Sequence, residues 1–544
     1  MTDTKNHGPT IPISEEIHAL KYRQSGETFK QAMTRIADTL KDTPEHYDTF
    51  RNILLDMRFL PAGRVQASIG SSRQITAMNC YVSQTIPDSM DGIMDVAKRA
   101  AETLRLGGGL GYDFSTLRPR GDLIKSLESH SSGPVSFMGI FDAICSTVAS
   151  AGHRRGAQMG VLRVDHPDIE EFIRAKQNKD KLTNFNVSIA ITDKFMEAVR
   201  TKGSFDLVFG GRVYKTIDAW NLWSEIMRGT WDWAEPGVLF IDTINRENNL
   251  SGYEVIAATN PCGEQPLPPN GACLLGSFNL VKYLEPPVFE GSPYLFNLEK
   301  FKSDIPPVVR AMDNVIDKTV YPLVEQELEA KSKRRMGIGI TGTANAIEAM
   351  GHPYGSDGFC EVLSMILKAL QDTLYSESSW LGHEKGYCIT GTRRNSHLTS
   401  IAPTGTISLT ADNISSGIEP VFSYGFTRTI QTPEGARHEY VEDYGSRVLK
   451  IKGKTADQCT VDEHLKVLLV ASQFVDSAVS KTINVGDNVT FEDFKDIYMK
   501  AWEGGAKGCT TFRLSGKRAG IFVSEENQGT ACFIDPSTGQ KTCE

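Results

Sequence analysis

The chain has 544 residues, 40% of them hydrophobic and 23% charged, and carries a formal net charge of −9. That is the balance of a folded globular protein, and it argues against a broad nucleic-acid or membrane surface; any bound polyphosphate must sit in a local pocket. No apolar run reaches the ~18–20 residues that span a bilayer, and the polar N-terminus shows no leader pattern, so a cytoplasmic protein with neither nucleic-acid nor membrane partners is expected.

Residues 1–15 read as disordered. Phe29, Met33, Ile36, Ala37 and Leu40 follow helical spacing, which predicts a helix over 29–40 and makes residues 1–45 a small N-terminal helical region. Further on, 161–166 (VLRVDH) and 185–192 (FNVSIAIT) read as strands with a helix over 166–176 between them, and 237–242 and 336–342 as further buried strands. The stretches 359–384 and 462–482 read as long amphipathic helices. Thr490 and Asp493 bracket another helix start, and Gly504 with Gly505 stops it. Such alternation predicts an α/β fold with a largely parallel sheet. No proline-rich linker divides residues 46–515, which therefore read as one catalytic domain; 516–544 reads as a polar, mobile tail.

Ten cysteines in this length are too few for a disulfide scaffold, and no CxxC or zinc-type spacing occurs, so no structural metal is expected. Most should be buried thiols, a few redox-active.

The densest chemistry lies in Ala258–Leu267, ATNPCGEQPL. Asn260, Cys262 and Glu264 alternate, so an extended segment would aim an amide, a thiol and a carboxylate to one side. A carboxylate serves as general base, an amide holds a hydroxyl, and a thiol acts as nucleophile, ligand or hydrogen-atom carrier. A turn around a buried thiol is the alternative. Downstream, Ile401–Ser408 (IAPTGTIS) sets a glycine among hydroxyl residues ahead of a helix-like run, which can present amide N–H groups to an anion; a capped turn is the alternative, and no Walker loop is present. Arg105–Tyr112 (RLGGGLGY) fails the dinucleotide fingerprint, because Tyr112 fills the last glycine position and no strand clearly precedes it.

The segment PCGEQPL resembles the radical-cysteine loop of ribonucleotide reductases, most closely the class II, adenosylcobalamin-dependent form. The resemblance runs over about 45–515 and implies a ten-stranded α/β barrel with this loop inside. It implies that Cys262 is the thiyl that abstracts the ribose 3′-hydrogen, that Glu264 is the base on the 3′-hydroxyl, and that Asn260 holds the same part of the sugar. Cys273, in GACLLGSFNL, and Cys80, followed by Asp88-Ser89, fit the two redox cysteines that supply electrons. Pro403, Thr404, Gly405, Thr406, Ile407 and Ser408 fit the substrate-phosphate loop. By the same analogy Asp88 meets the ribose of a deoxynucleoside triphosphate effector, and Arg154 or Arg155 lies in the loop that carries effector identity to the active site, a solvated surface pair being the alternative for those two; Arg118 and Arg120, after the glycine-rich run, can meet phosphate.

The class I form has two adjacent tyrosines where this chain has Thr511 and Phe512, and no radical-glycine segment of the class III form is present. The radical must then start beside Cys262, which is the chemistry of adenosylcobalamin. No Asp-x-His-x-x-Gly motif occurs, in keeping with relatives that bind the cofactor without a lower histidine. Cys532 and Cys543, ten residues apart rather than a tight pair, stand where the family carries its re-reducing cysteines. The short N-terminus reads as lacking an ATP cone. The implied partners are a ribonucleoside di- or triphosphate, the effector, a thioredoxin-like reductant and a second copy of the chain. A class I-like large subunit fed by a partner's radical, and a non-catalytic nucleotide sensor, are the competing readings.

Overall fold

In a computed structural model the chain is described over residues 7–124, 127–148, 157–177, 181–289, 291–432, 435–486, 488–513, 532–534 and 541–543. The N-terminal region is three helices: α1 (Pro12–Tyr22), α2 (Phe29–Leu40) and α3 (Pro44–Leu55). α2 starts at Thr28, whose side chain accepts from the Gln31 amide while Gln31 reaches back, a reciprocal cap, and its apolar stripe is the buried face. α1 corrects the expectation of disorder before residue 15. Its helix begins at Pro12, proline being suited to the first turn, and Ile13 and Ile17 are buried.

The strands that position the site are β1 (Phe59–Pro61), β2 (Cys80–Val82), β3 (Gly109–Asp113), β4 (Gln158–Arg163), β5 (Phe185–Ile191), β6 (Gly237–Phe240), β7 (Ala258–Thr259), β8 (Pro266–Leu267), β9 (Ala272–Cys273), β10 (Leu275–Asn279), β11 (Gly337–Thr341), β12 (Thr482–Val485) and β13 (Gly508–Arg513). Eight of them make one sheet in the order β9-β2-β3-β4-β5-β6-β13-β12, and β1-β10-β11 make another. From β2 through β6 every pairing is parallel; β9 and β13 join antiparallel. The fold is mixed α/β, as expected. Two lone bridges, Ile338–Thr399 and Ile401–Val479, extend the pairing beyond the named strands.

Neighbouring residues along a strand face opposite ways, and the burial sorts accordingly. Leu162, Ile189, Ile191, Val238 and Phe240 join the main core beneath the helices. Val161, Ala190 and Leu239, together with Cys80 and Cys273, join a separate apolar cluster on the other face. Ala258 and Leu267 belong to that second cluster, so the β7–β8 hairpin lies on the sheet face turned away from the helices.

Two long helices, α4 (Leu298–Lys318) and α5 (Asp357–Lys385), pack against each other, the latter capped by Ser356. Then come the six-residue α6 (Gly405–Thr410), α7 (Val461–Ser472) and α8 (Phe491–Glu503), the last started by the Thr490–Asp493 box. The helix expected over 462–482 ends at Ser472. Beyond it the Ala478 amide donates to the Glu264 carbonyl, Val479 bridges Ile401, and the chain enters β12. Tertiary pairing wins there over helical spacing. No helix among the described residues is long and apolar enough to cross a membrane.

Candidate active site

The segment carrying Asn260, Cys262 and Glu264 is not extended. β7 pairs antiparallel with β8, and residues 261–264 turn between them. Asn260 makes the turn: its side-chain Oδ1 accepts from the amides of Gly263 (3.1 Å) and Gln265 (3.0 Å), and its own amide donates to the Gln265 carbonyl. Gly263 takes a φ of 85°, the left-handed region that a glycine enters at no cost. Asn260 Nδ2 remains buried with no hydrogen-bond partner among the described residues, a donor held ready for an oxygen that the protein does not supply.

The turn is held from outside. Asn186 Nδ2 on β5 donates to the Pro261 carbonyl at 3.1 Å. Ser400 Oγ and the Ala478 amide both donate to the Glu264 carbonyl at 2.9 Å. β3 runs beside the hairpin so closely that a Cβ at Gly111 would lie 2.0 Å from the Thr259 carbonyl oxygen. A Cβ at Gly109 would lie 3.3 Å from Pro261 and 3.4 Å from Cys80 Sγ, so the tip of the turn and the Cys80 sulfur flank one spot. The strand residues Gly109 and Gly111 are thus where another backbone rests, a role that alternating glycines in a strand can signal. In the sequence the Arg105–Tyr112 run fails as a dinucleotide fingerprint and resembles the reductases' glycine-rich segment after the first redox cysteine; nothing there marks Asn186 and Ser400, whose partners are main-chain carbonyls of remote segments.

Cys80 and Cys273 are direct register partners on adjacent strands β2 and β9, and their thiols are hydrogen-bonded to each other. Both are buried and unbridged; Cys262 is half-buried. Burial pushes the Cys273 thiol well above its usual range, and the hydrogen bond with Cys80 and the nearby Glu264 carboxylate push it the same way. Glu264 itself is 1% exposed. The three cysteines and two polar residues expected to act together are therefore gathered on one sheet face.

The turn expected to bind an anion follows within four residues of Ser400, a reach of at most about 14 Å. Thr404 is left-handed (φ 56°), a strain of about 1–3 kcal/mol for a non-glycine residue. Its hydroxyl pays for this by pairing with Thr341 Oγ1 (2.9 Å) and accepting from the Gly417 amide (2.7 Å). Ser408 is turned inward: its hydroxyl meets the Gly405 carbonyl and Ser416 Oγ, and its amide meets the Thr404 carbonyl. Ile407 is buried, which leaves Pro403, Gly405 and Thr406 at the accessible edge.

Asp88 and Arg118 meet: Nε donates to Oδ2 at 2.8 Å and the Arg118 amide to Oδ1 at 3.2 Å, both side chains about one-third exposed. Arg154 and Arg155 lie outside the described residues. Thr511 pairs with the buried Tyr498 hydroxyl at 2.9 Å and Phe512 is buried. The strands Cys532–Ile534 and Lys541–Cys543 pair antiparallel with Cys532 opposite Cys543, and the second contacts α6. Among the described residues no group of three or more His, Cys, Asp or Glu side chains has the geometry to hold a metal ion.

The family model "Ribonucleotide reductase, barrel domain" matches residues 78–391 and 390–512, and the chain belongs to that family. Among curated relatives, a vitamin B12-dependent ribonucleoside-diphosphate reductase of Mycobacterium tuberculosis (strain CDC 1551 / Oshkosh) is 35% identical over 88% of this chain and 73% of its own length. A protein of the same name from Thermoplasma acidophilum is 31% identical over 95% of this chain and 72% of its own length. A vitamin B12-dependent ribonucleotide reductase of Streptomyces clavuligerus is 27% identical over 90% of the chain and 63% of its own.

Proposed function

We propose that the protein is an adenosylcobalamin-dependent ribonucleotide reductase that replaces the ribose 2′-hydroxyl by hydrogen. The observation that carries this is the placement of Cys80 and Cys273 as paired strand neighbours beside the turn that bears Cys262. Cys262, as a thiyl, takes the 3′-hydrogen atom. Glu264 accepts the 3′-hydroxyl proton, and the orphan Asn260 Nδ2 donates to a sugar oxygen. The 2′-oxygen leaves as water, Cys80 and Cys273 give two electrons and two protons as they close to a disulfide, and Cys262 returns its hydrogen to C3′. Burial of Asn260, Glu264 and Cys273 keeps water from the radical.

The residues fit the cofactor on two counts. Cys262 is the accessible thiol of the three, and Thr511 and Phe512 offer no tyrosine pair through which a radical could arrive from another subunit. Adenosylcobalamin supplies the one-electron oxidant by homolysis of its Co–C bond.

The remaining assignments belong to the same proposal. The two sheets and the bridges at Thr399 and Val479 are arcs of a ten-stranded barrel, with domain limits 1–45, 46–515 and 516–544. Gly405 and Thr406 lead phosphate binding, within the set Pro403–Ser408. Asp88 and Arg118, with Arg154 and Arg155, serve an allosteric deoxynucleoside triphosphate. Cys532 and Cys543 re-reduce the pair; their register and the contact of their hairpin with α6 support this. A cytoplasmic thioredoxin-like dithiol protein renews them, and the chain acts as a homodimer. The test is reduction of cytidine diphosphate and triphosphate with adenosylcobalamin and dithiothreitol, with and without each deoxynucleotide. Deoxycytidine nucleotide formed from either substrate is the expected result; none with either, by a folded protein, overturns the reading.

A further inference from the structure

We propose that the segment Thr10–Tyr22 is a strap that sets the position of the phosphate-binding turn, with Asp412 as its positioning residue. The proposal rests on the reading of Thr404–Ser408 given above. α6 has six residues, far short of the ~12–15 at which a helix begins to hold itself in water, so its place is dictated by what grips it. At its N-terminal end the grip is Thr404, through Thr341 and Gly417. At its C-terminal end the strap grips it, beside the Ser408–Ser416 hydroxyl bond and the contact with the Lys541–Cys543 strand. Asp412, 2% exposed, accepts from the Thr10 amide (2.6 Å), the Ile11 amide (3.3 Å) and the Thr10 hydroxyl (3.0 Å). Ser14 Oγ donates to the Leu409 carbonyl at 2.5 Å. Ile13 and Ile17 pack with Leu409 and Val441 as an apolar cluster separate from both larger ones.

Leu409 is three residues past Thr406, so about 4.5 Å of helix axis separates the strap from the amides that would face phosphate. Slack in the strap passes directly to those amides. Asp412 and Asn413 are both left-handed (φ 67° and 58°), a conformation that the three bonds to the strap help to impose on Asp412. Arg447 meets the Asp412 main-chain carbonyl, so the side chain is left to the strap.

Binding of cytidine diphosphate and of cytidine to cofactor-free protein, by titration calorimetry, tests this without turnover. Asp412→Ala is expected to weaken the diphosphate about tenfold or more and leave cytidine unchanged. Asp412→Asn, whose carbonyl oxygen still accepts the amides, should restore most of the affinity. Ser14→Ala, which loses one hydroxyl, should weaken the diphosphate two- to fivefold and serves in place of Asp412→Ala should that variant not fold. Thr406→Pro removes one of the amides and should also weaken the diphosphate. Normal diphosphate binding in Asp412→Ala and Ser14→Ala beside a weakened Thr406→Pro overturns the strap. So does equal weakening of diphosphate and nucleoside. Normal binding in Thr406→Pro overturns the phosphate reading itself.

Discussion

A single sulfur atom divides the possible outcomes at the residue scale. Cys262→Ser keeps the size and half-burial of the site but cannot hold a radical at an accessible potential; turnover is expected to fall by at least about 10⁴-fold with an unchanged circular dichroism spectrum, on the scale of losing a covalent catalytic group. Residual activity near that of the parent would remove Cys262 from the chemistry. Cys273→Ser should act differently. In the absence of added reductant the parent converts up to about two substrates per chain, one from the active-site dithiol and one more from the tail pair, and the variant none, while nucleotide binding persists; rapid-quench product counting distinguishes them. Asn260 is doubly employed, with its oxygen shaping the turn and its nitrogen left over. Asn260→Ala removes three hydrogen bonds, from the Thr259 hydroxyl and the Gly263 and Gln265 amides, and should lower stability by about 1–3 kcal/mol as well as activity, so thermal unfolding and turnover must be read together.

At the scale of elements, the contact between β3 and the hairpin is the most exacting. A methyl group at Gly111 has no room against the Thr259 carbonyl. Gly111→Ala is expected to cost about 1–3 kcal/mol by overpacking and to displace the Cys262 turn; an unchanged melting temperature with full turnover would show that the hairpin stands elsewhere. The elements that were legible in the sequence share a cause. The helices at 29–40 and 357–385 and the start at Thr490 carry their own caps and stripes. Strands β5 and β11 are buried runs rich in β-branched residues, as parallel strands covered on both faces must be, while β4, at Gln158–Arg163, overlaps only the first half of the strand expected over 161–166. Illegible were elements decided by distant partners: the stop at Ser472, forced by pairing of 478–480 with the hairpin and with Ile401, and the folding of 260–264 into a turn rather than an extended segment. Asn260, Cys262, Glu264, Cys80 and Cys273 stand out in the sequence through their side-chain chemistry and through the likeness of their segments to a known family, and their roles rest on the proposal above. Asn186 and Ser400 were not, because a side chain that grips a main-chain carbonyl leaves no mark on the sequence of that carbonyl.

For the molecule as a whole, pH acts through buried carboxyls. Glu348, accepting from the amides of Tyr354 (3.0 Å) and Lys454 (2.7 Å), is pushed by burial from its usual 4.5 to about 7, with Asp443 adding to the rise. A carboxyl so raised makes the folded state bind more protons than the unfolded one between those values. Its contribution is fully present below about pH 4.5 and is lost as pH climbs through 7, a swing on the order of 3 kcal/mol. Glu348→Gln, neutral throughout, should gain on the parent in melting temperature between pH 5 and pH 8. A constant difference across that range would place the Glu348 pKa elsewhere.

The pairing of β2 with β9 has one more consequence, for the spent protein rather than the charged one. Register partners on antiparallel strands stand about 4.5–5.5 Å apart at Cα, inside the range a disulfide tolerates, so oxidation asks little movement of the backbone. The bond it makes, however, staples two points remote along the chain. In the chain-entropy account such a staple deprives the denatured ensemble of about 5 kcal/mol of freedom. Each turnover would thus leave behind a molecule harder to melt than the one that began it, and heat alone should sort used enzyme from fresh.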